Sequence, residues 1–343
     1  MQREVDESCQ ARKPTIVRWC TRSDISPLRY PGGKRKLAPF IADLLARTNA
    51  RPKLFVEPFA GGASVSISLL EADLVDRIAL SDADPLVAAF WSIVFSADAP
   101  KLADRIYDWP VTLDEWKRQK MHEPDSPLDA AFKCFFLNRT SFSGSLHGKA
   151  GPIGGMSQSS QYAIDCRFNR SRLAERVLEL SRLRRRVRFV RNECYLRTIG
   201  NIRRTRLFRH EPNSIAWYLD PPFFAKADKL YPKSFVSRDH TRLRAATDSI
   251  PGQWILSYDD HADARRHYSD HPGFARVNLQ YTARIDGRER LVATEVIVSS
   301  IIAELRRQGE LQASAEVIEL PRRRQNWPVT IGAGSEENAI QAG

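Results

Sequence analysis

The stretch from Lys53 to Asp82 constrains the fold more than any other part of the chain. Lys53 to Val56 is a short apolar strand running into Glu57-Pro58 and the glycine pair Gly61-Gly62. Ser64 to Leu70 has the spacing of a helix, and Asp76 to Leu80 is a second strand ending at Ser81-Asp82. Strand, glycine turn, helix and a strand with an acidic end form the opening unit of a parallel sheet, which takes an adenosyl ligand at the carboxyl ends of its strands. Further strands are expected at Arg188 to Arg191, Ser214 to Leu219, Trp254 to Ser257 and Leu291 to Val298. Helices are expected over Lys36 to Ala46, from Asp84-Pro85 through Val94, over Leu128 to Asn138 and over Asp239 to Thr247. The Gly- and Ser-rich stretch from Thr140 to Gln161 is a long loop of the kind used for binding. An α/β class follows.

With 343 residues, the chain holds one large α/β domain with an insertion, or two modest domains. The first 25 or so residues carry little periodic pattern and read as a loosely attached arm, with ordered structure beginning at Leu28. The Gly/Ser/Glu-rich tail from Gly332 reads as frayed. No apolar run approaches the roughly 18 residues that span a bilayer, and the start is acidic and polar, so a cytoplasmic protein is expected. Five scattered cysteines and seven dispersed histidines supply neither a disulfide framework nor a metal site.

The net charge of +12 is concentrated. Between Ser181 and His210 stand eleven arginines and one acid, Glu193, and a second cluster is Arg322, Arg323 and Arg324. Arginine's planar fork suits phosphate, so this excess points to a polyanionic partner; the alternative is a solvated basic face. A lipid surface is disfavoured because the basic stretches lack a sustained amphipathic stripe.

Three loops carry candidate chemistry. In Glu57-Pro58-Phe59-Ala60-Gly61-Gly62, glycines permit close approach of backbone to ligand, but the G-x-G-x-x-G spacing of a pyrophosphate cradle is absent. A ligand without phosphate fits better, and S-adenosylmethionine answers that description. Asp82 is placed to accept from ribose hydroxyls, or else to cap the turn before Asp84-Pro85. In Asp220-Pro221-Pro222-Phe223 the prolines stiffen the chain, so the Asp220 carboxylate and the Pro221 carbonyl form a fixed acceptor pair for an amino group, with Phe223 stacking on the ring that bears it. The plainer alternative is a rigid Pro-Pro turn with a buried phenylalanine.

Leu28-Arg29-Tyr30-Pro31-Gly32-Gly33-Lys34, Phe55-Val56-Glu57-Pro58-Phe59-Ala60-Gly61-Gly62 and Tyr218-Leu219-Asp220-Pro221-Pro222-Phe223 together resemble the motifs of the DNA adenine-N6 methyltransferase family, Dam-like and of the D12 class. Phe136 to Gly144, Leu256 to Asp260 and Thr294 to Val298 agree with it, so the resemblance runs from about residue 28 to 300. It implies a Rossmann-like methyltransferase sheet with an inserted, mainly helical target-recognition domain. The divisions implied are an arm over 1–27, a catalytic domain over 28–83 and 212–330, the insertion over 84–211, and a tail over 331–343.

The resemblance also implies roles. Tyr30, Gly33, Lys34, Glu57, Phe59, Gly61, Gly62 and Asp82 would bind S-adenosylmethionine, with Lys34 on its methionyl carboxylate. Asp220, Pro221, Pro222 and Phe223 would receive a flipped adenine. Lys34, Asn138, Arg139, Ser141, Phe142, Ser143, Arg184, Arg185 and Arg186 would contact duplex DNA. No metal is implied, and a cognate restriction endonuclease is a candidate partner that sequence does not demonstrate. Three departures stand out: Ala63 where glycine is frequent, Glu193 one place before Cys194 where an acid is frequent, and Phe223 for tyrosine. A backbone φ below zero at Ala63 would make the first a small cost. A cytosine-N4 or RNA amino-methyltransferase, and a non-catalytic DNA-binding protein on the same scaffold, are the competing functions.

Overall fold

Ile215–Leu219 is apolar at every position because both of its faces are covered: Ala216 and Tyr218 enter one core, while Ile215, Trp217 and Leu219 enter the other. The computed structural model describes residues 15–16, 25–29, 34–48, 51–148, 150–222, 235–280, 292–311, 317–319 and 328–329. Tyr30, Gly33 and Phe223 lie outside the described residues, as do Arg322, Arg323 and Arg324.

The strands, in chain order, are β1 (Thr15–Ile16), β2 (Leu54–Glu57), β3 (Ile78–Asp82), β4 (Val187–Asn192), β5 (Ile215–Leu219), β6 (Gln253–Asp259), β7 (Phe274–Gln280), β8 (Val292–Ser299), β9 (Val317–Glu319) and β10 (Pro328–Val329). Among the described residues, β2 to β9 form one eight-stranded sheet in the order β4-β3-β2-β5-β6-β8-β7-β9. From β4 to β6 the strands are parallel; β8 is antiparallel to both of its neighbours. The chain winds from β2 to one side through β3 and β4, then returns to β5 and winds to the other. The carboxyl ends of β2 and β5, at Glu57 and Asp220, therefore flank the topological switch point, where such sheets bind ligands.

The helices are α1 (Ala38–Ala46), α2 (Ser64–Glu71), α3 (Pro85–Val94), α4 (Ala99–Asp108), α5 (Leu113–Met121), α6 (Pro127–Thr140), α7 (Arg170–Ser181), α8 (Tyr195–Arg203), α9 (Arg206–His210), α10 (Ser237–Asp248), α11 (Ala262–Tyr268) and α12 (Ser300–Arg307). α1 to α7 contribute to one core and α8, α10 and α11 to the other. Pro85, Pro100 and Pro127 fall in the first turns of α3, α4 and α6. There proline lacks only an N–H that has no intrahelical partner anyway.

Two boundaries differ from expectation. Ile25, assigned to the loose arm, is 3% exposed in the core, and Thr15–Ile16 pairs with Pro328–Val329. β4 falls inside the stretch 84–211 yet forms the edge of the main sheet beside β3. No single helix among the described residues is long and apolar enough to cross a membrane.

Candidate active site

The glycine loop after β2 is held from three directions. Ala60 N–H donates to the Ser81 carbonyl at 2.9 Å, Gly61 N–H to Asp82 Oδ2 at 2.8 Å, and the Trp91 indole N–H to the Gly61 carbonyl at 2.8 Å. Asp82 also accepts from Asp84 N–H at 2.9 Å. A carboxylate offers about four acceptor positions, so Asp82, which also receives the Ala83 N–H, keeps room for a ligand hydroxyl. Glu57 accepts through Oε2 from the backbone N–H of Ser66, at 3.2 Å, and from its hydroxyl; Oε1 has no hydrogen-bond partner among the described residues. Burial pushes the Glu57 carboxyl up to about 8 and that of Asp82 up to about 7. An edge rich in carboxylates repels a pyrophosphate and favours a cationic, hydroxyl-bearing ligand, which is the chemistry of S-adenosylmethionine.

Ala63, which caps α2, has φ 46° and ψ 26°. The condition for a cheap replacement of glycine is therefore not met, and the methyl group sits in a left-handed conformation that costs about 1–2 kcal/mol. Phe59 stacks on Tyr195 at 5.3 Å and meets Phe235 edge-on at 6.0 Å, so the loop ends against an aromatic wall built by α8 and the approach to α10.

At the switch point, Asp220 Oδ1 accepts from the Ser257 hydroxyl at 3.0 Å, and Ser257 is bonded in turn to the Tyr218 hydroxyl at 2.8 Å. The Lys34 ammonium lies 3.8 Å from Asp220 Oδ1 and 2.7 Å from Glu295 Oε2. Lys34 is 4% exposed and Glu295 6%. Desolvation raises the Asp220 carboxyl above its ordinary range against the opposing pull of Lys34, and raises Glu295 to about 7. Lys34, expected at the cofactor's carboxylate and at DNA, lies beside these two carboxylates inside the site.

Several residues expected at DNA are internal. Asn138 is fully buried, accepts from Arg29 N–H at 2.6 Å, and donates to the carbonyls of Arg29 and Gly144 at 2.9 and 3.0 Å. Arg139 Nε donates to the Pro27 carbonyl at 2.6 Å, and Ser141 accepts from the Trp116 indole at 2.9 Å while fully buried. Asn138 and the half-buried Arg139 brace the segment leading to Lys34, while Asn138 and Ser141 are closed off from solvent. Phe142, 69% exposed, and Ser143 do stand out at the start of the loop that follows. That loop is tied back to the cofactor edge by His147 Nε2, 2.7 Å from Asp84 Oδ2.

Arg184, Arg185 and Arg186 precede β4 and so lie at the amino ends of the strands, across the sheet from the catalytic edge. A five-residue strand such as β3 spans roughly 17 Å. Arg186 is occupied by the carbonyls of Leu70, Val75 and Asp76 and by Asp73. That placement does not bring the run, expected at DNA, to the catalytic edge. Replacing Arg184 and Arg185 together with alanine is expected to leave DNA affinity and its salt slope unchanged in fluorescence anisotropy titrations. A large loss of affinity would put DNA on this edge.

Ser66, Ser257, Asp84, His147 and Glu295 were not singled out by residue chemistry alone. Glu295 had a signal: one acid inside the apolar run Val292–Ser299. Among the described residues no group of three or more His, Cys, Asp or Glu is arranged to hold a metal.

A parallel sheet with one reversed strand near its far edge, and carboxylates converging where its winding reverses, is consistent with a Rossmann-like methyltransferase fold. Residues 30–147 match the D12 class N6 adenine-specific DNA methyltransferase family. The match supports adenine-specific DNA methylation with S-adenosylmethionine as cofactor. It contains the Glu57 loop and Asp82 and stops before Asp220. No curated protein matches the chain.

Proposed function

We propose that the chain transfers a methyl group to N6 of adenine in duplex DNA, on a base turned out of the helix, with Asp220 and the Pro221 carbonyl receiving the amino group. The observation that carries this is the placement of Asp220 beside Glu57 at the switch point, with one oxygen fixed by Ser257. S-adenosylmethionine, when bound, supplies an electrophilic methyl on a sulfonium. The Glu57 carboxylate and the Gly61-Gly62 backbone would hold its amino acid end, and Asp82 its ribose. Asp220 and the Pro221 carbonyl accept the two amine hydrogens, turning the nitrogen lone pair away from conjugation with the ring. Alignment and a site that favours transient positive charge on nitrogen then do the remaining work. An amine inside the base stack cannot reach this edge, which is why the base must leave it.

DNA would meet the loop that begins at Phe142 and Ser143, since His147 and Asn138 anchor it beside the catalytic edge. The inserted, mainly helical unit is read as α4 to α7, with β4 returned to the catalytic domain. The enzyme is read as cytoplasmic, and a cognate restriction endonuclease remains a partner to test. Incubation with unmethylated duplex DNA and labelled S-adenosylmethionine, followed by nucleoside analysis, is expected to yield N6-methyladenine at a fixed short sequence. N4-methylcytosine, or label in RNA alone, would overturn the substrate.

A further inference from the structure

We propose that Glu295 is a positioning residue: it holds the Lys34 ammonium off Asp220, so that Asp220 keeps an acceptor oxygen for the substrate amine. The inference rests on the reading of Asp220 given above. Lys34 and Glu295 are both buried and 2.7 Å apart, a hydrogen-bonded ion pair, whereas Lys34 to Asp220, at 3.8 Å, is too long for a hydrogen bond. The cation thus stabilises the Asp220 charge without occupying it. The fold makes this possible through its one reversed pairing beside β6. Because β8 runs antiparallel to β6, Asp259 at the carboxyl end of β6 stands opposite Glu295 near the start of β8, which brings an acid to the catalytic edge from a strand whose own carboxyl end lies at the far side.

Lys34 lies among several carboxylates. Asp220 is influenced by Lys34 from the turn before α1, by Ser257 and Asp259 from β6, by Glu57 from β2 and by Glu295 from β8; the Tyr218 and Tyr258 phenols also face it. Buried ion pairs are costly, and breaking one side leaves the other charge to find a new partner. Without Glu295, the nearest carboxylate to Lys34 among the described residues is Asp220. The resulting direct salt bridge would close on Oδ1, the oxygen that Ser257 already holds, and turn the carboxylate out of the orientation that presents Oδ2 to the amine; it would also make the Asp220 carboxylate harder to protonate.

The two consequences move in different senses, which separates positioning from bulk structure. The Glu295→Gln variant is expected to lower kcat by about tenfold or more with little change in S-adenosylmethionine affinity, and to move the acid limb of kcat to lower pH. The sign follows because activity requires ionised Asp220, and a closer cation with one fewer acid nearby depresses its pKa. Lys34→Met removes the cation and is expected to move the acid limb to higher pH. Cofactor binding measured by calorimetry on both variants and on Asp220→Ala shows that the folded site persists. If Asp220→Ala is inactive while Glu295→Gln keeps wild-type kcat and acid limb, the role of Glu295 is overturned. An upward move of the limb in Glu295→Gln overturns it as well. Activity in Asp220→Ala would instead remove the reading of Asp220 on which the proposal stands.

Discussion

In the Asp220→Ala enzyme, kcat for methyl transfer is expected to fall by about 10³-fold while cofactor and DNA binding persist. The magnitude is that of removing one preorganised group aimed at charge that develops in the transition state. Asn should be no better. With the Ser257 hydroxyl donating to Oδ1, an asparagine places its carbonyl towards Ser257 and its amide N–H towards the substrate amine, donor against donor. Single-turnover measurements, which separate chemistry from binding, check this directly. A kcat within tenfold of wild type in either variant would remove Asp220 from the chemistry.

The second large effect is on stability. Arg176 of α7 is 1% exposed. Its guanidinium donates to the Ile25 carbonyl at 2.7 and 3.0 Å, makes two bonds to Glu71 at 2.7 and 3.0 Å, and one to Glu179 at 2.9 Å. Alanine there would leave two carboxylates facing each other and a buried carbonyl without its donor. A loss of about 3–5 kcal/mol is expected, the range for breaking a buried charged pair from one side. Lysine, which keeps the charge but not the fork, should recover only part of it. Urea unfolding gives the value; a loss below about 1 kcal/mol would mean that the pair behaves as a screened surface contact.

The strands β2, β3 and β5 were legible because their apolar runs are continuous and lead into acids, whereas β7, interrupted by Arg276 and Asn278, was not. Glu57, Asp82 and Asp220 each sit at a strand's carboxyl end, and parallel winding brings such ends together whatever their distance in sequence. The helices α4, α5 and α7 were not legible. Pro100 interrupts the apolar pattern although it opens a helix, and the arginines and glutamates of Arg170–Ser181 hide an apolar stripe of Leu173, Val177 and Leu180.

The sequence places residues at the site where a backbone motif carries them, and is silent where side chains reach across elements. Lys34, Asn138 and Arg139 lie in stretches that do approach the active edge, yet their partners, Glu295, Arg29 and Pro27, are up to 261 residues away in sequence. Spacing says nothing about such pairs. For Arg184 to Arg186 the reason is different: composition counts charge but cannot say which end of a strand carries it.

The bracing of residues 25–29 by Asn138, Arg139 and Arg176 has a consequence for protein engineering. Three side chains of α6 and α7 grip the main chain that delivers Lys34 to the catalytic edge, so the inserted unit and the amino-terminal motif form one mechanical part. A chimera that imports the insertion of a relative to change sequence preference must carry its own residues 25–34 with it. Otherwise the new helices would seat a foreign peptide, and the lysine would arrive out of register with Asp220.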